Sequence, residues 1–225
     1  MGLQLRVNLP DQPGALAHVA AAIARAGADV ISVAVVESEA GRAIDDFRLR
    51  WPDGRDVNPL LDAVGAGMGV EVLGCRRTRW LLDGRPDLDL MTHLLAVPER
   101  GIETLVDMAP AALDADWAEL RPPARRLAAL YVSGQTAHDH VAPESMPVRA
   151  TAWQSEAGAW AYFPIVELRS VLVIGRDGGP AFLRAELAEA ERIVELAMTV
   201  LERVLRHAPT DSASELTSCL SASTG

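Results

Sequence analysis

The feature that most constrains this chain is a change of period near its start. Leu3, Leu5, Val7 and Leu9 alternate with Gln4, Arg6 and Asn8, the period of a strand with one buried face. Asp11-Gln12-Pro13-Gly14 then turns the chain, and from Ala15 onward Leu16, Val19, Ala20 and Ile23 fall at helical spacing. Gly27 supplies the left-handed residue that commonly ends a helix. The sequence therefore predicts strand, tight loop and amphipathic helix in quick succession.

Asp29 opens a β-branched run in which Ile31, Val33 and Val35 are expected to share a face, and Glu37 to Arg42, with Gly41, makes a turn. Phe47, Leu49 and Trp51 alternate with Asp46, Arg48 and Arg50 before a second turn at Pro52-Asp53-Gly54. Val57, Leu60, Leu61 and Val64 suggest a short helix. After Gly65, Gly67 and Gly69, Val70 and Val72 mark a fourth strand that runs out near Cys75. The order is βαββαβ, a ferredoxin-like α+β unit with both helices on one face of an antiparallel sheet, because each helix has a single apolar stripe to bury.

Residues 1–79 form this first domain. Arg79 to Leu88, with Asp83-Gly84-Arg85-Pro86, reads as a linker centred on 80–88, and a second domain is expected over 89–207. Ile102, Leu105, Val106 and Ala109 suggest a helix there. Strand candidates are Asp116 to Leu120, Leu127 to Val132, the surroundings of Trp153, Trp160 to Val166 and Val171 to Gly175, with a polar loop from Ser133 to Arg149. Leu183, Leu187, Ala190, Val194, Ala197, Leu201 and Val204 then define a long terminal helix, its apolar face widened by Ile193, Leu196 and Val200. Residues 208–225, rich in Ser and Thr, are expected to be a disordered tail.

Composition narrows the function. A net charge of −10 repels phosphate backbones, which argues against nucleic acid as a partner. All 21 basic residues are arginine, so chemistry that needs a lysine amine, a Schiff base or a P-loop, is excluded. No stretch approaches a membrane span and the start lacks the pattern of a signal peptide, so no membrane partner and a cytoplasmic location are expected. The 2 cysteines, Cys75 and Cys219, are too few for a disulfide framework.

The strongest local motif is Asp11-Gln12-Pro13-Gly14-Ala15-Leu16 between an alternating strand and an amphipathic helix, with Gly27-Ala28-Asp29-Val30 where that helix gives way to the next strand. Unpaired N–H groups at a helix start attract carboxylates, Gly14 permits close approach to the backbone, and Asp11 or Asp29 offers a partner for an ammonium group. A plainer role for Asp11 is an N-cap that accepts from the N–H of Gly14. The motif and the element order, from Leu3 to Thr78, resemble the ACT domain, a regulatory module that senses an amino acid or related small molecule.

That resemblance implies side-by-side pairing in a homodimer, with the ligand held between one domain's loop and strand and its neighbour's equivalent. The residues it assigns are Asp11, Gln12, Pro13, Gly14, Ala15, Leu16, Asp29 and Val30. Asp29 stands where many amino-acid-binding members carry asparagine, which both donates and accepts, whereas aspartate only accepts.

The second half, Leu90 to Leu205, resembles a GAF domain, a six-stranded sensory fold with helices on one side. The resemblance rests on Ala115-Asp116-Trp117-Ala118, Leu130-Tyr131-Val132, Trp160 to Ile165, Val171 to Arg176 and Gly179-Pro180-Ala181-Phe182, which lead into the long closing helix. It implies a pocket that Trp153, Trp160, Tyr162 and Phe163 would line, although large aromatics on strands are more often core.

Other candidates are weaker. His138-Asp139-His140 lacks the third and fourth ligands of a zinc site, so no metal and no cofactor is assigned. Cys75 precedes Arg76 and Arg77, which would favour a thiolate, but a cysteine at a strand end is usually packing. Gly65-Ala66-Gly67-Met68-Gly69 joins a helix to a strand, opposite to a nucleotide loop, and reads as a turn.

The expected function is a non-catalytic small-molecule-sensing regulator, without catalytic residues, acting through its own assembly or an unidentified protein partner. Two alternatives are an enzyme using His138, Asp139, His140 and Glu144, and a ligand-free docking protein whose heptad-like helix forms a dimer seam.

Overall fold

The computed structural model describes residues 1–67, 69–78, 84–123, 127–133 and 145–207. His138-Asp139-His140, Glu144, Cys219, the tail from 208 onward and residues 79–83 of the expected linker lie outside the described residues. The chain divides into two compact units, Met1–Asp83 with Ala152–Ala161 and Gly175–Leu187, and Gly84–Thr151 with Tyr162–Ile174 and Ala188–Gly225.

In the first unit β1 (Gly2–Pro10), α1 (Ala15–Arg25), β2 (Asp29–Glu39), β3 (Arg42–Arg50), α2 (Asn58–Gly65) and β4 (Glu71–Thr78) follow the expected order. The sheet runs β2-β3-β1-β4 and is antiparallel throughout. Leu3, Leu5, Val7 and Leu9 are buried with Phe47, Leu49, Val19, Ile23, Leu60 and Val64 in one core cluster, so both helices cover the same face.

Turn chemistry fixes the connections. At the end of α1, Gly27 has φ 86°, Ala28 N–H donates to Ile23 O at 3.2 Å and Gly27 N–H to Ala24 O at 2.9 Å, a Schellman ending. Ala40 and Gly41, with φ 52° and 76°, form the two-residue turn between β2 and β3, the primed geometry that suits strand twist.

Strand β2 departs from its expected face. Register shifts at Val30/Ser32 and Val35/Glu37 take Ile31 out of the row, so Val30, Val33 and Val35 oppose Leu49, Phe47 and Asp45. This row stays largely uncovered, with Val33 39% and Val35 64% exposed, because β2 is the sheet edge.

Beyond Gly84 the chain forms α3 (Pro86–Ala96), α4 (Gly101–Ala112), β5 (Trp117–Arg121), β6 (Tyr131–Val132), β7 (Thr151–Ser155), β8 (Gly158–Ile165), β9 (Ser170–Arg176) and α5 (Arg184–His207). The expected linker thus gives way to helix at Pro86, and α3 is an element the sequence patterning did not reveal. Five strands are present among the described residues, in the order β6-β5-β9-β8-β7. Trp160, Tyr162 and Phe163 are buried, while Trp153 is exposed.

The terminal helix buries Ala190, Val194, Ala197 and Leu201 at spacings of four and three, as its pattern requires, whereas Leu196 is exposed. A Cβ at Gly101 would lie only 2.0 Å from Leu201 Cδ2, so α5 seats on the bare start of α4. The expectation of a dimer seam along α5 is corrected for this stripe: it is already covered by its own chain.

The second face of the β2-β3-β1-β4 sheet is polar and buried. Gln4, Arg6, Asp46 and Arg76 share it by strand alternation, and residues of Gly175–Leu187 lie upon it. Arg6 Nη1 and Nη2 donate to Glu186 Oε2 and Oε1 at 2.8 Å each, Arg6 Nε donates to Asp46 Oδ1 at 2.6 Å, and Arg176 Nη2 donates to Glu186 Oε1 at 2.7 Å. Gln4 Nε2 donates to Asp46 Oδ2 at 2.8 Å, and the Arg176 guanidinium stacks 4.0 Å from the Phe182 ring centroid. Gly74 and Gly179 make the seating possible, since a Cβ at Gly74 would fall 2.9 Å from Pro180 N and one at Gly179 would fall 2.7 Å from Arg76 Cβ.

Burial pushes the Glu186 carboxyl up, but Arg176 and Arg6 outweigh it and hold the group below the usual carboxylate range. A carboxyl so depressed contributes stability that is complete above its unfolded pKa of about 4.3 and is lost as pH falls through the lower folded value. Glu186→Gln is expected to lose about 3 kcal/mol at pH 7 by leaving two buried guanidiniums short of charge. Thermal midpoints followed from pH 7 to pH 3 should then fall less steeply in the variant than in the wild type.

Candidate functional site

The β1–α1 loop is open to solvent. Asp11, Gln12, Pro13 and Gly14 are exposed, Leu16 is 42% exposed, and Ala15 turns inward. Asp11 N–H donates to Gly41 O at 2.9 Å, which ties the loop to the β2–β3 turn. Gly14 holds φ 91°, and a Cβ built there would meet nothing within 4 Å. Glycine is needed there for the backbone conformation and not for space, and the backbone remains approachable.

Helix α1 begins without a side-chain cap, so the N-cap role considered for Asp11 is corrected. Gly14 itself occupies the cap position in a left-handed conformation, and Asp11 Oδ2 accepts from Ser38 Oγ at 2.8 Å instead. Ala15 N–H, the first of the helix, donates to Gln12 O at 3.2 Å, and the helix start carries the positive end of the helix dipole.

Asp29 and Val30 lie at the other end of the sheet. Strand β1 runs from Gly2 opposite Arg50 to Pro10 opposite Arg42, and β2 from Asp29 opposite Arg50 to Glu39 opposite Arg42. At about 3.4 Å per residue this separates the Asp11 loop from Asp29 by roughly 25–30 Å within one chain. Asp29 Oδ2 instead accepts from Arg50 Nη1 at 3.1 Å, with both side chains about two-thirds exposed.

One residue at the loop end was missed. Asp45 opposes Val7 on β1 and Val35 on β2, so it sits on the helix-covered face in the same row as Phe47 and Leu49. It is 3% exposed, and its Oδ1 is buried without a hydrogen-bond partner among the described residues. Burial first, then the carboxylates of Asp11 and Asp46, raise its carboxyl above the usual value. The signal was available: the alternation of Phe47, Leu49 and Trp51, carried two residues back, lands on Asp45.

The βαββαβ order, an open loop leading into helix α1 and an edge strand with exposed valines define a small module of ferredoxin-like topology. Residues 3–64, from β1 to α2, match the ACT domain family, whose members are regulatory and generally bind amino acids. The match lies within the first unit, with β4 beyond it. No curated protein matches the chain. Among solved structures the chain is similar to an unknown protein from Galdieria sulphuraria, at 13% identity over 91% of each chain and a TM-score of 0.32, which is too loose to carry an argument. No helix among the described residues is long and apolar enough to cross a membrane.

Cys75 packs against the core of the first unit, and burial pushes its thiol up to about 11. Arg76 turns away to donate to Gln4 and does not activate the sulfur. In a Cys219→Ser background, labelling of Cys75 by a disulfide reagent at pH 7.5 should be slower than that of a free thiol by on the order of a hundredfold, since the thiolate is the reactive form.

Proposed function

We propose that this protein is a non-catalytic regulator whose ACT domain binds an amino acid or similar small acid between two copies of the chain. The observation that carries it is the separation of Asp11 and Asp29 at opposite ends of a sheet whose edge strand is uncovered. Antiparallel pairing of one β2 with the β2 of a second copy would continue the sheet, cover Val33 and Val35, and bring the Asp29 end of each copy to the Asp11 loop of the other.

The assigned residues then have distinct work. The backbone around Gly14 and Leu16 receives the ligand carboxylate at the start of α1, within the loop of Asp11, Gln12, Pro13 and Ala15, and Asp29 with Val30 closes the site from the neighbouring copy. Asparagine at position 29 would donate and accept at once. Here Asp29 accepts while its partner Arg50 supplies donors, so the pair offers what one asparagine would. Ligand binding favours the paired arrangement, and the GAF-like second half is the region that would pass this on or add a second signal.

Thermal unfolding against the twenty amino acids tests the reading. A rise in midpoint is expected with one or a few of them, about 3 kcal/mol of added stability at a hundredfold excess over Kd, and it should be lost in Asp11→Ala and Asp29→Ala. No rise with any amino acid at millimolar concentration would remove the sensor reading.

The pairing has its own test. Val35→Pro, at a position of β2 that faces no strand on its outer side, should convert a dimer to a monomer by sedimentation velocity and leave the far-ultraviolet spectrum unchanged. A dimer that survives this change pairs through another surface.

A further inference from the structure

The second unit carries an apolar face that stays open to solvent. On α3, Leu90 and Leu94 are buried, while Leu88 and Leu95, seven residues apart and so on one line of the helix, are 54% and 57% exposed, with half-buried Met91 between them. On α5, Leu196 is 52% exposed and is flanked by half-buried Ile193 and Val200, off the covered stripe of Ala190, Val194, Ala197 and Leu201. The two helices lie side by side. Arg85, ahead of α3, is close enough to Glu189 to feel its charge, and Gly101, beyond the end of α3, seats Leu201, so α3 runs along α5 in the same direction. Glu189 and Leu196 are seven residues apart and share a line of α5, which turns Leu196 to the flank that borders α3. All of these residues belong to the second unit. Three exposed leucines at this spacing on neighbouring helices form one patch, and a patch of this kind marks a contact surface.

We propose that this face binds the same face of a second copy, the two α5 helices crossing antiparallel at Leu196. Charge decides both the occupant and its direction. The line through Leu196 carries Glu189 seven residues before it and Arg203 seven residues after it, so a two-fold axis at Leu196 sets Glu189 of each copy opposite Arg203 of the other. Parallel alignment would set Glu189 against Glu189 and Arg203 against Arg203, and an uncharged apolar helix would gain from neither. Leu88, Met91 and Leu95 widen the apolar centre. A patch of this size makes a small interface, on the order of 1,000 Å² in total, so the contact is weak, with a Kd expected at about 100 µM. It is separate from strand pairing at β2 and joins copies only at high concentration.

Sedimentation equilibrium of the full chain from about 10 to 500 µM, a range that brackets the expected Kd, tests the contact in the wild type and in Val35→Pro, where strand pairing at β2 does not contribute. In both, the average mass should rise with concentration. Leu196→Glu sets two carboxylates face to face at the axis and should abolish the rise, while its thermal midpoint stays close to that of the parent because the side chain is exposed. Glu189→Arg and Arg203→Glu should each weaken association about tenfold, and the double exchange should restore it. An equimolar mixture of the two single variants should associate more tightly than either alone, since each copy then meets the opposite charges. An average mass that does not rise in the wild type, a rise that survives Leu196→Glu, or a double exchange no tighter than the single variants would overturn the assignment.

Discussion

Two arginines and one glutamate decide how the N-terminal unit is completed. Arg6 lies in the first strand and Glu186 follows it by 180 residues, yet the two meet in a two-point contact that is almost wholly withdrawn from water. Such a contact adds little net stability compared with an apolar pair of the same volume, since both charges must first be desolvated. Its leverage lies in the asymmetry: a wrong segment over this face would take from both Arg6 and Arg176 the carboxylate that they share. The network therefore specifies which part of the chain covers the sheet more than it strengthens the cover.

That cover explains why a sheet with two helices on one side needs no third helix on the other. Gln4, Asp46 and Arg76 form a hydrogen-bonded row across three strands, and Gly74 and Gly179 let the backbone of the later segment approach to contact distance. Side chains of any size at these glycines would hold the segment off and open the row to water. Charge, close approach and strand register all point to the same seating, which is the mutual consistency that makes a sequence fold to one structure.

Much of the first unit was legible because its signals are local. The alternation of Leu3 to Leu9, the helical spacing from Ala15 and the turn residues at Gly27, Gly41 and Gly54 each act within a few residues, and each element formed where its period placed it. The candidate site was legible as a loop but not as a geometry. Asp11 and Asp29 look adjacent as motifs, and only the strand register shows that they occupy opposite ends of the sheet. Helix α3 escaped because Leu90 and Leu94 are its only fully buried residues, and Gly84 and Pro86 at its start resemble a linker. The Arg6–Glu186 contact could not be read at all, since nothing in a sequence couples charges so far apart.

The late arrival of the covering segment has a consequence for how the protein is made. At roughly 5–20 residues per second, synthesis of the 109 residues from Thr78 to Leu187 (187 − 78) takes about 5–20 s. Through that interval the four strands and two helices of the N-terminal unit are complete in sequence, while the polar side of their sheet still faces solvent and the guanidinium of Arg6 has only Asp46. The nascent N-terminal unit thus waits in a half-covered form whose edge strand is also open, and its completion is set by the arrival of Glu186 and not by the folding of the strands that it joins.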